Sequence, residues 1–434
     1  MSPRKLLRYT PPRAALPALL AGLTALAGWL VLQLAQAPDS SGSRLWGTVY
    51  LAVGINSDER LDNGLRLRAA EAMERFSNDF RELHPGVDLQ LMTFPEEDLV
   101  RQLRFRQQGG LGPDLLLVNS RTALELQRLN LVRSESFSPE ILHQIEPDMV
   151  ERVRLSDGRL AGLPVLQLPQ LACFNRDRLP EGSPASLDGL LQLSSRGLRV
   201  GLSSNPTYLF WTVGGLGATE ALLATEGHQS LNPEQKQSLE RWLAWLQNAS
   251  LQQSISFHDK QDQLAHQLAS GDLDWITCRS SNLSLLRQTL GASLGVASLP
   301  GGRWGEATPI NRERVLVFGR NSSPAQRRIT RELASFSINP LVQRNLTFTT
   351  MVMLPVNRFV PAPVASSAAL DAMVRSAEQS KQTTPLILSL IDNVKAEQAI
   401  SAVLSRVLFG ELTPRQAAEI LPGSLRAALH GATP

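Results

Sequence analysis

The chain has 434 residues, 43% hydrophobic and 19% charged, which supplies apolar material for two or three buried cores and excludes a disordered chain. Four basic residues (Arg4, Lys5, Arg8, Arg13) lie in an acid-free leader, so the formal charge of +3 becomes 39 basic against 40 acidic groups over the remaining 397 residues. That balance lacks the basic field that nucleic-acid binding needs, and two cysteines exclude a disulfide scaffold or a cysteine-built zinc site.

The leader itself is ordered as basic, apolar, small. Met1 to Arg13 is basic, Ala14 to Leu32 is nearly unbroken apolar sequence, and Ala35-Gln36-Ala37 is a small-x-small pattern before the polar stretch Asp39 to Ser43. This is the order of a secretory signal, yet the apolar run is long enough to span a bilayer and Pro38 disfavours cleavage. Residues 1–37 are therefore expected to be a signal peptide or a membrane anchor, with the rest of the chain outside the cytoplasmic membrane. No cysteine follows the run, which excludes a lipoprotein anchor.

Beyond the leader the elements alternate. Trp46 to Val53 is a β-rich run ending at Gly54, and Leu65 to Leu83 has helical spacing, with Met73, Phe76, Phe80 and Leu83 on one face. His84-Pro85-Gly86 stops that helix. Val87 to Leu91 alternates as a strand, and Pro95 to Gln107 is a helix opened by Glu96, Glu97 and Asp98, which suit its dipole. Leu115 to Val118 is an all-apolar run of parallel-sheet type. The order β-α-β-α-β predicts an α/β, doubly wound region. After Asp157-Gly158 a second α/β series starts near Leu171. It includes helices over Asn232–Gln247 and His258–Ser270 and a strand over Asp274–Cys278. Arg314 to Phe318 reads as a strand, Ala325 to Ser337 as a helix, and the last sixty residues as mainly helical.

Seven phrases then line up in order. They are Phe76 to Val87 (FSNDFRELHPGV), Gly112-Pro113-Asp114 with its apolar strand, Asp157 to Asp177 (DGRLAGLPVLQLPQLACFNRD), Leu268 to Asn282 (LASGDLDWITCRSSN), Val296 to Gly302 (VASLPGG), Ala334 to Val356, and Val403 to Ala417 (VLSRVLFGELTPRQA). Together they resemble the extracellular solute-binding proteins of the maltose-binding type, which serve ABC importers. The resemblance implies two doubly wound α/β lobes joined by a hinge, the type II periplasmic-binding-protein arrangement. Lobe one would be residues 44–166 plus 313–356, and lobe two 167–312 plus 357–434, with crossings in Pro164 to Pro169 and near Arg312 and Glu313. It implies no cofactor and no catalysis. The partners it implies are a small solute, a sugar, glycoside or polyol in that family, and permease subunits with their ATPase. Cys173 and Cys278 would lie on lobe-two strands, and their pairing is open.

In such a fold the ligand sits where strands end, at the interlobe cleft. The turns there offer Asn56 after the first strand, Asn119, Ser120 and Arg121 after the Pro113-Asp114 strand, and Gln167 and Gln170 at the hinge. The stretch Asn205 to Trp211 resembles the family segment that lines the sugar site with an acid and an aromatic. Asn205 replaces the acid, and Tyr208 or Trp211 would be the stacking face. Arg279, Ser281 and Asn282 follow the Asp274–Cys278 strand, with Ser281 where the family usually has tryptophan. Trp242 and Trp245 share a helix and read as core. Arg121 and Arg279 are also suited to an anion, against which the amides favour a neutral polyol or small glycoside. Two other functions compete: a membrane-tethered sensor, and a glycosidase, for which no acidic pair stands at strand ends. Gly291 to Gly295 matches G-x-S-x-G, but helix and strand lie in the wrong order for a nucleophile elbow.

Overall fold

The computed structural model describes residues 44–56, 63–226, 229–381, 383–391 and 393–430. The leader, residues 1–37, lies outside them. Among the described residues no helix is long and apolar enough to cross a membrane.

Two sheets organise the chain. The first has seven strands: β1 (Trp46–Ile55), β2 (Gly86–Pro95), β3 (Leu115–Asn119), β4 (Val132–Arg133), β5 (Leu163–Leu168), β11 (Arg312–Gly319) and β12 (Leu354–Pro355). The second has five: β6 (Gln170–Asn175), β7 (Val200–Ser203), β8 (Ile255–His258), β9 (Trp275–Arg279) and β10 (Leu294–Ala297). In the first sheet β1 lies between β2 and β3, parallel to both, and β11 then adds antiparallel to β3. In the second, β7 lies between β8 and β9, again parallel to both. Each sheet thus reverses its strand order at one point, and there the carboxyl ends of neighbouring strands open a crevice.

The chain passes from the first sheet to the second through Pro169 alone, between β5 and β6. It returns between β10 and β11, and leaves again after β12, since the helix Ala368–Lys381 packs on β6 and β10. The first of these places is Pro169 and the second lies just before Arg312, where β11 starts.

Side-chain alternation divides the second lobe's core in two, as a sheet buried on both faces requires. Ala172, Phe174 and Trp275 face a cluster built with Trp211, Trp242, Leu243 and the C-terminal helices Val394–Leu408 and Pro414–His430. Leu171, Cys173, Ile276 and Cys278 face the other way, onto Leu264, Leu268, Leu283 and Met373. The two cysteines sit diagonally on adjacent strands and form a disulfide, with Cα atoms 5.8 Å apart. The pairing that the sequence left open is made. Trp242 and Trp245 are core, the former donating its indole N–H to Thr212 Oγ1 at 2.8 Å.

In the first lobe the helix Asn63–Leu83 places Phe76 and Phe80 on Phe336 of the helix Pro324–Ser337, with ring centroids 5.4 and 5.3 Å apart. Leu83, expected on the same face, is exposed instead. It is the last residue before the turn at His84, where the helix ends and no neighbour covers it. The acidic turn after Pro95 is a separate 3-10 turn, Glu96–Asp98, before the helix Leu99–Gln108. Around Ser293 a helix precedes and a strand follows, the reverse of a nucleophile elbow.

Candidate ligand-binding site

At the first sheet's reversal, Asn56 follows β1 and Asn119 ends β3, and the Asn119 amide donates to Asn56 Oδ1 at 2.7 Å. Two expected site residues therefore meet. What holds them is a buried ion pair that lies beneath. Glu96 Oε2 is 2.9 Å from Arg314 Nη1, with both side chains about 95% out of solvent (5% and 6% exposed). Glu96 Oε1 accepts the backbone N–H of Asn119 at 2.7 Å, while Arg314 reaches Asn119 Oδ1 at 3.3 Å and Leu117 O at 2.9 Å. Gly54 makes room for the carboxylate, because a Cβ there would lie 3.0 Å from Glu96 Oε2 and 3.1 Å from a Leu99 methyl. Two opposite charges taken out of water need this geometry and these extra hydrogen bonds.

Ser120 is buried and starts the helix Ser120–Arg128. The side chain of Arg121, one residue on, reaches out of lobe one. Its Nη1 is 2.6 Å from Glu397 Oε2, on the lobe-two helix Val394–Leu408, and Glu397 Oε1 accepts from Thr207 Oγ1 at 2.8 Å. A carboxylate from the chain's last quarter thus joins Arg121 to Thr207, with 15% of its side chain exposed.

The hinge is the third part. Gln170 donates its backbone N–H to Asn311 Oδ1 at 2.9 Å, and its side chain bonds Tyr208 O and the Ile310 N–H. Ser376 donates to Gln170 O at 2.7 Å and Asn311 donates to Ser376 O at 3.1 Å, so the first two crossings are tied to one helix. Gln167 is buried on β5 beside them. Arg152 and Glu313 form a second buried pair at 2.8 Å just behind, and Arg152 also reaches Asn311 O at 2.9 Å.

Several expected contacts have structural duties instead. Arg279, read as an anion ligand, is 2% exposed; its Nη1 donates to Ile310 O at 3.2 Å and Leu168 O at 3.5 Å, one carbonyl from each crossing. It clamps the hinge. The Tyr208 ring lies 5.0 Å from its guanidinium, and Tyr208 OH accepts from Arg312 at 3.1 Å, so Tyr208 stays at the hinge with one face already used. Trp211, the alternative platform, has no exposed surface and packs near Trp275 in the lobe-two core, so it offers no face to a ligand. Asn205 caps the short helix Pro206–Leu209 by accepting the Thr207 N–H at 2.9 Å, and Asn282 Oδ1 accepts the Arg279 N–H at 2.9 Å. Ser280 and Ser281, at the carboxyl end of β9, are buried with hydroxyl oxygens that find no hydrogen-bond partner in the structure.

Sequence reasoning missed Glu96, Arg314, Glu397 and Thr207. Glu96 looked like a helix-opening acid, although its position directly after a strand is the same signal that singled out Asn56 and Asn119. Glu397 carried no signal, because only the folded chain brings its helix to Thr207 and Arg121.

No family model matches the chain, and no curated protein does. Solved structures do. The acarbose-binding GacH receptor of Streptomyces glaucescens superposes with a TM-score of 0.69 at 15% identity, covering 89% of this chain and 99% of that one. UgpB of Mycobacterium tuberculosis, solved with glycerophosphocholine, gives 0.67 at 13% identity over 88% and 98%. The fold is that of a type II solute-binding protein. A Thermotoga lettingae ABC-transporter solute-binding protein solved with tagatose shares it at a TM-score of 0.64 and 17% identity over 88% and 99%. In each case almost the whole of the other chain is covered.

Proposed function

We propose that the chain captures one small neutral, hydroxylated solute, a polyol or small glycoside, between its lobes and delivers it to the permease of an ABC importer. The lobes, residues 44–166 plus 313–356 and 167–312 plus 357–434, close by bending at the crossings that Arg279 and Asn311 tie together. The observation that carries the reading is the state of the arginines. Arg314 is matched by Glu96, Arg121 by Glu397, and Arg279 is turned to hinge carbonyls. The anion reading depended on Arg121 and Arg279, and both are engaged. Amide and hydroxyl groups stand at or just after the strand ends: Asn56 and Asn119, which bond each other, Thr207, which donates to Glu397, and the buried hydroxyls of Ser280 and Ser281. Such groups meet hydroxyls as donor and acceptor, and a ligand lacking the hydroxyl leaves them unpaired. With Trp211 in the core, a run of aromatic platforms for a long maltodextrin is absent from the positions the sequence offered. The relatives' ligands, acarbose, tagatose and glycerophosphocholine, are hydroxylated molecules of varied size. Residues 1–37 would place the lobes outside the cytoplasmic membrane, cleaved or tethered, beside permease and ATPase.

Calorimetry of the purified chain against mono- and disaccharides, polyols and small anions tests this. One neutral solute bound per chain is the expected result; tight binding of an anion alone would refute it.

A further inference from the structure

Glu397 is a carboxylate that lies between the start of the helix after β3 and the short helix after β7. It bridges the two lobes, with one oxygen on Arg121 of lobe one and the other on Thr207 of lobe two. Arg121 belongs to the first turn of the helix Ser120–Arg128, whose amino end contributes a partial positive charge at the same place. A guanidinium, a hydroxyl and a helix amino end are the donors that would bind a free anion. Glu397 already satisfies them from within the chain.

We propose that Glu397 is the specificity-determining residue of the cleft: a tethered anion that occupies the Arg121–Thr207 position and so restricts capture to uncharged solutes. The argument rests on the capture reading above, and deepens it. An incoming phosphate or carboxylate would have to displace Glu397, and would then face its charge at close range in a half-buried setting. Like-charge juxtaposition of that kind opposes wrong partners strongly. A polyol meets no such penalty. Its hydroxyls donate to the same carboxylate without breaking the bond to Arg121, because a carboxylate has about four acceptor sites.

The experiment needs no knowledge of the natural solute, so it stands apart from the test of the capture reading. Inorganic phosphate is titrated calorimetrically into the full chain in detergent, as wild type, Glu397→Gln, Glu397→Ala, and Glu397→Gln combined with Arg121→Gln. Unfolding midpoints are recorded for each. The expected result is negligible binding by the wild type, affinity at least about tenfold higher in both single variants, and loss of that gain in the double variant. Folded single variants that bind phosphate no better than wild type would overturn the proposal. So would a gain that survives removal of Arg121. Should Glu397→Gln alone fail to fold, Glu397→Ala with and without Arg121→Gln gives the same comparison.

Discussion

Replacing Glu96 by glutamine keeps the shape of the side chain and removes one charge, which isolates what the buried pair does. Both Glu96 oxygens are in use, one on Arg314 and one on the Asn119 N–H, and neither Glu96 nor Arg314 has appreciable contact with water. After the substitution Arg314 keeps its carbonyl and Asn119 acceptors but loses its counter-charge in a setting where water cannot replace it. Breaking a buried pair from one side costs about 3–5 kcal/mol, far more than the pair contributes relative to a well-packed apolar substitute. Urea unfolding followed by far-ultraviolet circular dichroism should show that loss for Glu96→Gln, and a smaller loss for Glu96→Leu combined with Arg314→Met. Solute affinity should fall as well, because the carboxylate that receives the Asn119 N–H is lost and Asn56 is held through Asn119. A loss below about 1 kcal/mol, the level of an exposed pair, would refute the reasoning, as it would mean that water reaches Arg314.

Replacing both Cys173 and Cys278 by alanine removes a cross-link spanning 105 residues; the chain-entropy relation puts the cost at about 4–5 kcal/mol. Thermal denaturation with and without dithiothreitol checks it: the wild type should lose stability on reduction and the double variant should not respond. Asp274 should govern part of the acid response. Burial alone would raise its pKa, but hydrogen bonds from the Arg199 side chain and backbone, with the Arg199 and Arg178 charges, hold it below the ordinary aspartate value. Its contribution is therefore fully present above the unfolded value, about 3.9, and is lost as pH falls through the lower folded value. Asp274→Asn should flatten the dependence of unfolding free energy on pH below about 4; an unchanged slope would contradict the assignment.

The fold was legible because its signals are local or ordered along the chain. The all-apolar run at Leu115–Val118, the helix break at His84-Pro85-Gly86 and the punctuated alternation of strands and helices depend on near neighbours. The site was legible at the level of position: Asn56 and Asn119 stand at strand ends and do meet. Role was another matter. Whether a polar residue at a strand end faces the cleft or caps a helix turns on one or two dihedrals, and Asn205 and Asn282 went to caps. Arg279 looked free in sequence, yet the two carbonyls it holds lie 111 and 31 positions away. Arg121 and Glu397 are 276 positions apart, so the neutralisation of the cleft was invisible until the lobes were placed together.

The central claim is capture by closure of two lobes around a neutral solute. Small-angle scattering of the purified chain, alone and saturated with the solute that calorimetry selects, tests it most directly. The account expects a smaller radius of gyration on binding, one solute per chain, and no such change with inorganic phosphate. A solute that binds without contraction would contradict the hinge, and contraction driven by an anion alone would contradict the neutral cleft.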